Sequence, residues 1–445
     1  MTTMPQPLIL ESPRVAEPSE AASPVVAWGP ARRFGFRFLF AYFILYLLPF
    51  PVTLIPTLGR LKRSFSEAWS PLVLWVGERL FHVQITFRHN GSGDTTFNWV
   101  QVFCILILSL TTALVWTLLD RRRPNYARLY EALRIYVRFG LAAVMVTYGV
   151  VKVIELQFGS PTPDRLVQTY GESSPMGLLW TFMGASALYC FFGGAGEVLG
   201  GVLLAFRRTT LLGALVCIGV MSNVVMLNLS YDVPAKLYSS HLLAMAVFLA
   251  APDLRRLANL LLFNRPVAPV EERPLFARRG LDRGALILKT LLVTLSVGFS
   301  LFQANEMSKT DGERTPKPPF YGAWNVDELE VDGQVRPPLL TDGNRWRRVI
   351  FPYPEAIFLQ PMDGPMTRCS LELDPAARRM AVTPWKKDSP GKGELFYQVT
   401  GPDLLSLEGT FDGKKIRARL RREDPSKYTL INRGFHWINE RPFNR

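Results

Sequence analysis

The chain begins as long apolar runs separated by short arginine-rich stretches. Beyond Phe302 it becomes a series of short alternating segments divided by turns. The apolar runs cover 34–58, 98–119, 139–156, 177–206, 209–229, 235–251 and 284–302. Each is close to the ~20 residues that a ~30 Å hydrocarbon layer requires, so the pattern predicts about seven transmembrane helices. Pro49, Pro51 and Pro56 interrupt the first run and predict a kinked or unwound end. Residues 1–33, rich in proline and without an apolar stretch, read as a disordered tail. The first apolar run starts too late and is too long for a cleavable signal peptide. Between the first two runs, Phe65, Ala68, Trp69, Leu72, Val73, Val76 and Leu80 recur at helical spacing. This predicts an interfacial helix over 64–81, with Trp69 and Trp75 at the membrane surface.

After a linker at 303–319, the segments at 324–331, 345–351, 356–361, 368–373, 379–383, 394–399, 404–411, 416–421 and 428–431 alternate with period two. Turn pairs such as Asp332-Gly333, Asp342-Gly343, Asp363-Gly364 and Asp412-Gly413 separate them. The spacing predicts an all-β domain over 320–445, either an up-and-down barrel or a sandwich. Gly322-Ala323-Trp324 resembles the Gly-x-Trp start of lipocalin-like barrels, whose interior holds either a ligand or packed side chains. The last residues, from Asn432 onward, concentrate aromatic, Arg and Asn side chains. Barrel closure by Trp437 and docking onto the membrane domain are both open readings of that tail.

Charge refines this division. The net charge is +14, but basic and acidic residues nearly balance from Glu306 onward. The excess therefore lies beside the apolar runs, as topology determinants do, rather than on one soluble face as nucleic-acid binding needs. Arg32 and Arg33, the group Arg121 to Arg134, Arg207 and Arg208, and the group Arg255 to Arg283 occupy alternate connections. The positive-inside rule then puts the N-terminus in the cytoplasm and the β-domain outside. The loop at 59–96 is basic and disagrees, and the others outvote it. Four cysteines with no CxxC pair leave no dithiol for exchange chemistry.

Ionisable and amide groups inside apolar runs are costly and usually functional. Here they are Lys152, Glu155, Glu197, Asn223, Asn228, Tyr231, Asp232, Lys236 and His241. All except Glu197 fall in the outer half of the predicted spans, so they are candidates to converge on one outward-facing pocket. Glu197 lies deep, among glycines that permit close helix contact, with Lys152 or Lys236 as its candidate cation. The competing reading is a set of structural ion pairs and hydrogen bonds. No second intramembrane histidine suits bis-His haem, and no His/Cys/Asp cluster has metal spacing. Residues 90–96, Asn-Gly-Ser-Gly-Asp-Thr-Thr, suit an ion or phosphate less well than a helix N-cap by Asp94 or Thr95.

Tyr148-Gly-Val-Val-Lys152 resembles the Gly-x-x-Lys feature of the DoxX-like family. Glu197 with Gly200-Gly201 is similar to that family's Glu-x-x-Gly-Gly. The resemblance covers about 138–256 and implies a four-helix unit in the bacterial plasma membrane. It also implies, from named members, oxidation of a small substrate with quinone as acceptor. The leading expectation is therefore a multi-pass membrane protein whose polar pocket binds quinone or another small molecule. Two rivals stand beside it: a solute or lipid transporter, and an anchor that presents a ligand- or partner-binding barrel.

Overall fold

A computed structural model of the chain describes residues 27–52, 64–65, 67–86, 91–269, 279–310, 312, 314–386 and 389–444. The predicted disordered tail falls largely outside the described residues, as do the end of the first apolar run from 53 to 58, Arg60, Lys62, Arg63, Arg88 and Asn90. Contacts divide the chain into two units: Met1–Ile85 with Val100–Tyr136, and Thr86–Trp99 with Val137–Arg445.

The first unit contains α1 (Pro30–Leu47), α2 (Ser70–Arg79), most of α3 (Thr96–Leu119) and the start of α4 (Ala127–Val153). Arg37 is buried on α1, yet its donors are occupied. Its Nε and Nη2 donate to the Tyr126 hydroxyl at 3.1 and 2.7 Å, Nη1 donates to Thr117 Oγ1 at 2.7 Å, and Nη2 also donates to the Asp120 carbonyl. The Tyr126 hydroxyl donates onward to Asp120, and Phe36 stacks on its ring at 5.2 Å. A buried guanidinium satisfied in this way ties α1 to α3 and α4. α2 falls within the predicted interfacial stretch.

The second unit adds α5 (Pro163–Val167), α6 (Pro175–Gly184), α7 (Ala187–Ala205), α8 (Thr210–Ser230), α9 (Lys236–Ala250), α10 (Leu254–Leu261) and α11 (Arg279–Thr310). Among the described residues six helices are long and apolar enough to cross a membrane: Thr96–Leu119, Ala127–Val153, Ala187–Ala205, Thr210–Ser230, Lys236–Leu261 and Arg283–Thr310. These helices fit a membrane protein. α1 does not join them, because Arg32, Arg33 and Arg37 interrupt its apolar surface. The predicted run at 177–206 is two helices rather than one. It breaks after Gly184, where the Ser186 hydroxyl caps α7 by accepting from the Tyr189 N–H.

The β-domain is an antiparallel barrel, not a sandwich. Its strands are β1 (Gly322–Val331), β2 (Gln334–Val335), β3 (Trp346–Phe351), β4 (Ala356–Pro361), β5 (Thr367–Asp374), β6 (Arg379–Pro384), β7 (Gly393–Gly401), β8 (Leu404–Phe411) and β9 (Lys414–Arg422). Each strand from β3 onward pairs with the next, and β1 pairs with both β3 and β9, closing an eight-strand barrel. β2 is a two-residue addition to the end of β1 that the alternation did not show. The predicted ninth segment at 428–431 is instead helical, α12 (Thr429–Asn432), preceded by a 3-10 turn at Pro425–Lys427. Closure comes from β1 and β9, not from Trp437, which is 91% exposed.

Period-two burial fills the barrel with Trp324, Leu329, Trp346, Val349, Met380 and Leu395 among others. Arg345 is the largest fully buried side chain of this domain, and it donates to the carbonyls of Arg336, Trp346, Val326 and Asp327. Burial lowers its pKa, while the nearby Asp342 and Asp327 carboxylates oppose the shift. A smaller space of about 340 Å³ lies between the linker around Phe320 and Phe351, Tyr353 and Leu373.

Candidate functional site

A cavity of about 570 Å³ lies among α4, α6, α7, α8 and α9. Its shape follows from how α4 and α7 meet. A Cβ added at Gly194 would stand 2.6 Å from the Gly149 carbonyl, and one at Gly201 would stand 2.8 Å from the Ala142 carbonyl. Only glycine lets the two backbones approach this closely. Gly200, on another face of α7, lies against Cys217 of α8. The glycines thus bring α7 within reach of both neighbours, and Gly193, Gly196 and Glu197 face the cavity.

Lys152, in the last turn of α4, donates to Glu197 Oε1. Both side chains are buried, at 8% and 3% exposure. Either charge alone would pay a desolvation penalty of several kcal/mol, which the partner offsets. The second carboxylate oxygen, Glu197 Oε2, is buried and has no hydrogen-bond partner among the described residues; the same holds for Gln157 Oε1. Both residues line the cavity. Around them are aromatic side chains: Tyr148 meets Tyr238 with ring centroids 5.8 Å apart, and Trp180 meets Phe158 at 5.0 Å. Tyr189 and Phe192 complete the aromatic wall. The arrangement is a largely apolar chamber holding one ion pair, one open carboxylate acceptor and several hydroxyl and amide groups.

The nine sequence-predicted residues divide. Lys152, Glu197, Asn223 and Asn228 line the cavity. Asn228 is committed locally, since its amide donates to the Ser239 hydroxyl at 3.0 Å and to the Ala235 carbonyl at 3.3 Å. Glu155, Tyr231, Asp232, Lys236 and His241 stand outside the lining. Glu155 occupies the turn after α4 with φ of +56°. Tyr231 packs beside Phe158, Leu179 and Val233, and Asp232 forms an ion pair with Lys236 Nζ at 2.8 Å. His241 Nδ1 lies 2.6 Å from the Leu237 carbonyl, one turn back on its own helix. Lys236 therefore does not pair with Glu197. Its backbone serves instead: Asp94 accepts from the N–H groups of Lys236 and Leu237 at 2.7 and 2.9 Å.

Asp94 is thus a cap, but of α9 rather than of α3. Thr95 and Asn98 cap α3 reciprocally, each accepting from the other's backbone N–H. Missed from the sequence were Tyr148, Gln157, Trp180 and Tyr238. Tyr148 carried a usable signal, because it precedes Lys152 by four residues and shares its helix face. Among the described residues no His/Cys/Asp/Glu group could hold a metal ion.

No family model matches the sequence, and no solved structure matches it. A 141-residue stretch, 32% of the chain, is 33% identical to the uncharacterised protein YwoB of Bacillus subtilis strain 168 and covers 87% of that protein. The chain belongs to the YwoB family. Two-thirds of this chain lies beyond the YwoB match, so the family describes one part of a larger assembly of elements.

Proposed function

We propose that the helical region contains a DoxX-like four-helix unit over about 138–256 and lies in the bacterial plasma membrane, with the N-terminus cytoplasmic and the barrel outside. Its cavity binds a small amphiphilic molecule of the quinone class. The observation that carries this reading is the Lys152–Glu197 pair set into an aromatic chamber, with Glu197 Oε2 still open. A quinone offers two carbonyl acceptors on a planar ring, which suits the Lys152 ammonium and the faces of Trp180 and Tyr238. Its reduced form offers hydroxyl donors, which suit the open carboxylate oxygen. By the DoxX-like resemblance, the chemistry is oxidation of a small substrate, which gives up two electrons to the quinone, while the two protons that complete the quinol come from the substrate or from water.

The test is mass spectrometry of lipids extracted from the protein purified in lipid nanodiscs. Wild type should carry a quinone in near-stoichiometric amount, and Glu197→Gln should carry several-fold less. Removing either partner alone strands the other buried charge at a cost of about 3–5 kcal/mol. The folding control is therefore the double variant Lys152→Met with Glu197→Gln. Equal quinone in wild type and Glu197→Gln, or none in either, overturns the reading.

A further inference from the structure

Beyond the cavity, the chain carries an exposed apolar group that no packing explains. After β9, Phe435, Trp437 and Ile438 are 75%, 91% and 77% exposed. The segment is nonetheless ordered by its own contacts. Phe435 and Trp437 meet edge to face at 5.0 Å, Arg433 lies over Phe443 at 4.0 Å, and Arg433 donates to Asn439 Oδ1 at 2.7 Å. The β1–β9 register fixes where it leaves the barrel. Trp324 pairs with Arg422, the Glu423 N–H donates to the Ala323 carbonyl, and Arg422 Nη2 donates to the Tyr321 carbonyl. The tail therefore emerges beside the start of β1, the end at which α11 tethers the barrel.

That same end meets the helical region. Val167 of α5 packs with Ala323, Ile350, Ala356 and Phe358. α5 lies in the connection from α4 to α6, which begins near the buried Lys152. The Tyr428 hydroxyl donates to Glu423, and the Asn432 amide donates to the carbonyls of Pro425 and Tyr428, so the chain that leads to the exposed aromatics folds back near this end of the barrel.

We infer that the segment around Phe435, Trp437 and Ile438 is a docking surface for the lipid bilayer. Aromatic side chains favour the boundary between headgroups and acyl chains, and Arg433 and Arg441 match the phosphates there. Chain length permits it: residues 311–321 separate α11 from β1, so the barrel stays within about 40 Å of the helix end even with that link fully extended. A contact of this kind gives the barrel a second attachment and fixes its tilt over the helical region. The inference rests on the membrane reading of the helices, and the controls separate the two.

The experiment uses the full chain in nanodiscs of phosphatidylcholine with one quarter phosphatidylglycerol, carrying one spin label at a time. The four native cysteines are buried, so labels introduced by Trp437→Cys, Lys414→Cys and Leu292→Cys are selective. Leu292 on α11 reports on the span and Lys414 on the far turn of the barrel. The label at position 437 should collide with a water-soluble nickel chelate several-fold less often than the label at 414, while collisions with oxygen rise. Equal nickel access at 437 and 414 overturns the inference. A label at 437 shielded from both nickel and oxygen indicates a protein contact and overturns it as well. Water access at 292 would instead refute the membrane reading.

Discussion

Cys369 shows how a residue without a catalytic role still sets a measurable property. It is fully buried in the barrel core, and its thiol lies 3.5 Å from the Gly391 carbonyl. Burial pushes its pKa from the ordinary 9.0 up to about 11, with the Asp412 charge adding in the same direction. The folded thiol therefore keeps its proton where the unfolded one loses it. This residue leaves stability unchanged below 9.0 and reduces it as pH rises from there to about 11. Denaturant midpoints across that range should fall more steeply for wild type than for Cys369→Ala, and parallel slopes would refute the assignment. Asp94 shows a different effect of context: a carboxylate beside one helix in sequence completes the end of another that begins more than a hundred residues later.

Among the helix–helix contacts made through glycine, α4–α7 is the closest. A methyl group at Gly201 has no room beside the Ala142 carbonyl, whereas one at Gly219 of α8 meets nothing within 4 Å. Gly201→Ala should destabilise the protein by about 1–3 kcal/mol, as overpacking does. Gly219→Ala should be neutral or slightly stabilising. Thermal unfolding in nanodiscs measures both, and equal melting temperatures would show that the helices part freely. The same contact explains what the sequence made legible. Apolar run length located six of the seven expected spans among the described residues, and period-two alternation identified eight of the nine strands. The Gly-rich stretch around Glu197 pointed to a buried cation, with Lys152 and Lys236 both open, and the structure supplies Lys152. Local sequence could not show the break at Ser186, because a hydroxyl capping a bent segment leaves the apolar run uninterrupted. Nor could it separate Asn223, on the cavity wall, from His241, outside it. Both lie on apolar helices, and only the rotation of each helix against its neighbours decides which face is enclosed.

At the scale of the whole molecule, the barrel interior is packed with side chains. Its core side chains interdigitate around Trp346 and Phe411, whose rings meet edge to face at 5.1 Å. Because β1 and β9 are neighbours, the domain's first and last residues leave from one pole. The turns at Asp332-Gly333 and Asp412-Gly413 occupy the other, where the Asp332 N–H donates to the Lys415 carbonyl. A Cβ added at Gly413 meets nothing within 4 Å, although its φ of +77° favours glycine. A short epitope inserted after Gly413 should leave the barrel folded and be bound by antibody on cells whose outer surface is accessible. The same epitope appended at Arg445 should be bound more weakly, and the opposite ranking would reverse the proposed polarity. With the tail docked as proposed, both ends of the domain are held at one pole and its hairpin tips point away from the bilayer, so a molecule arriving from the aqueous phase meets those tips first.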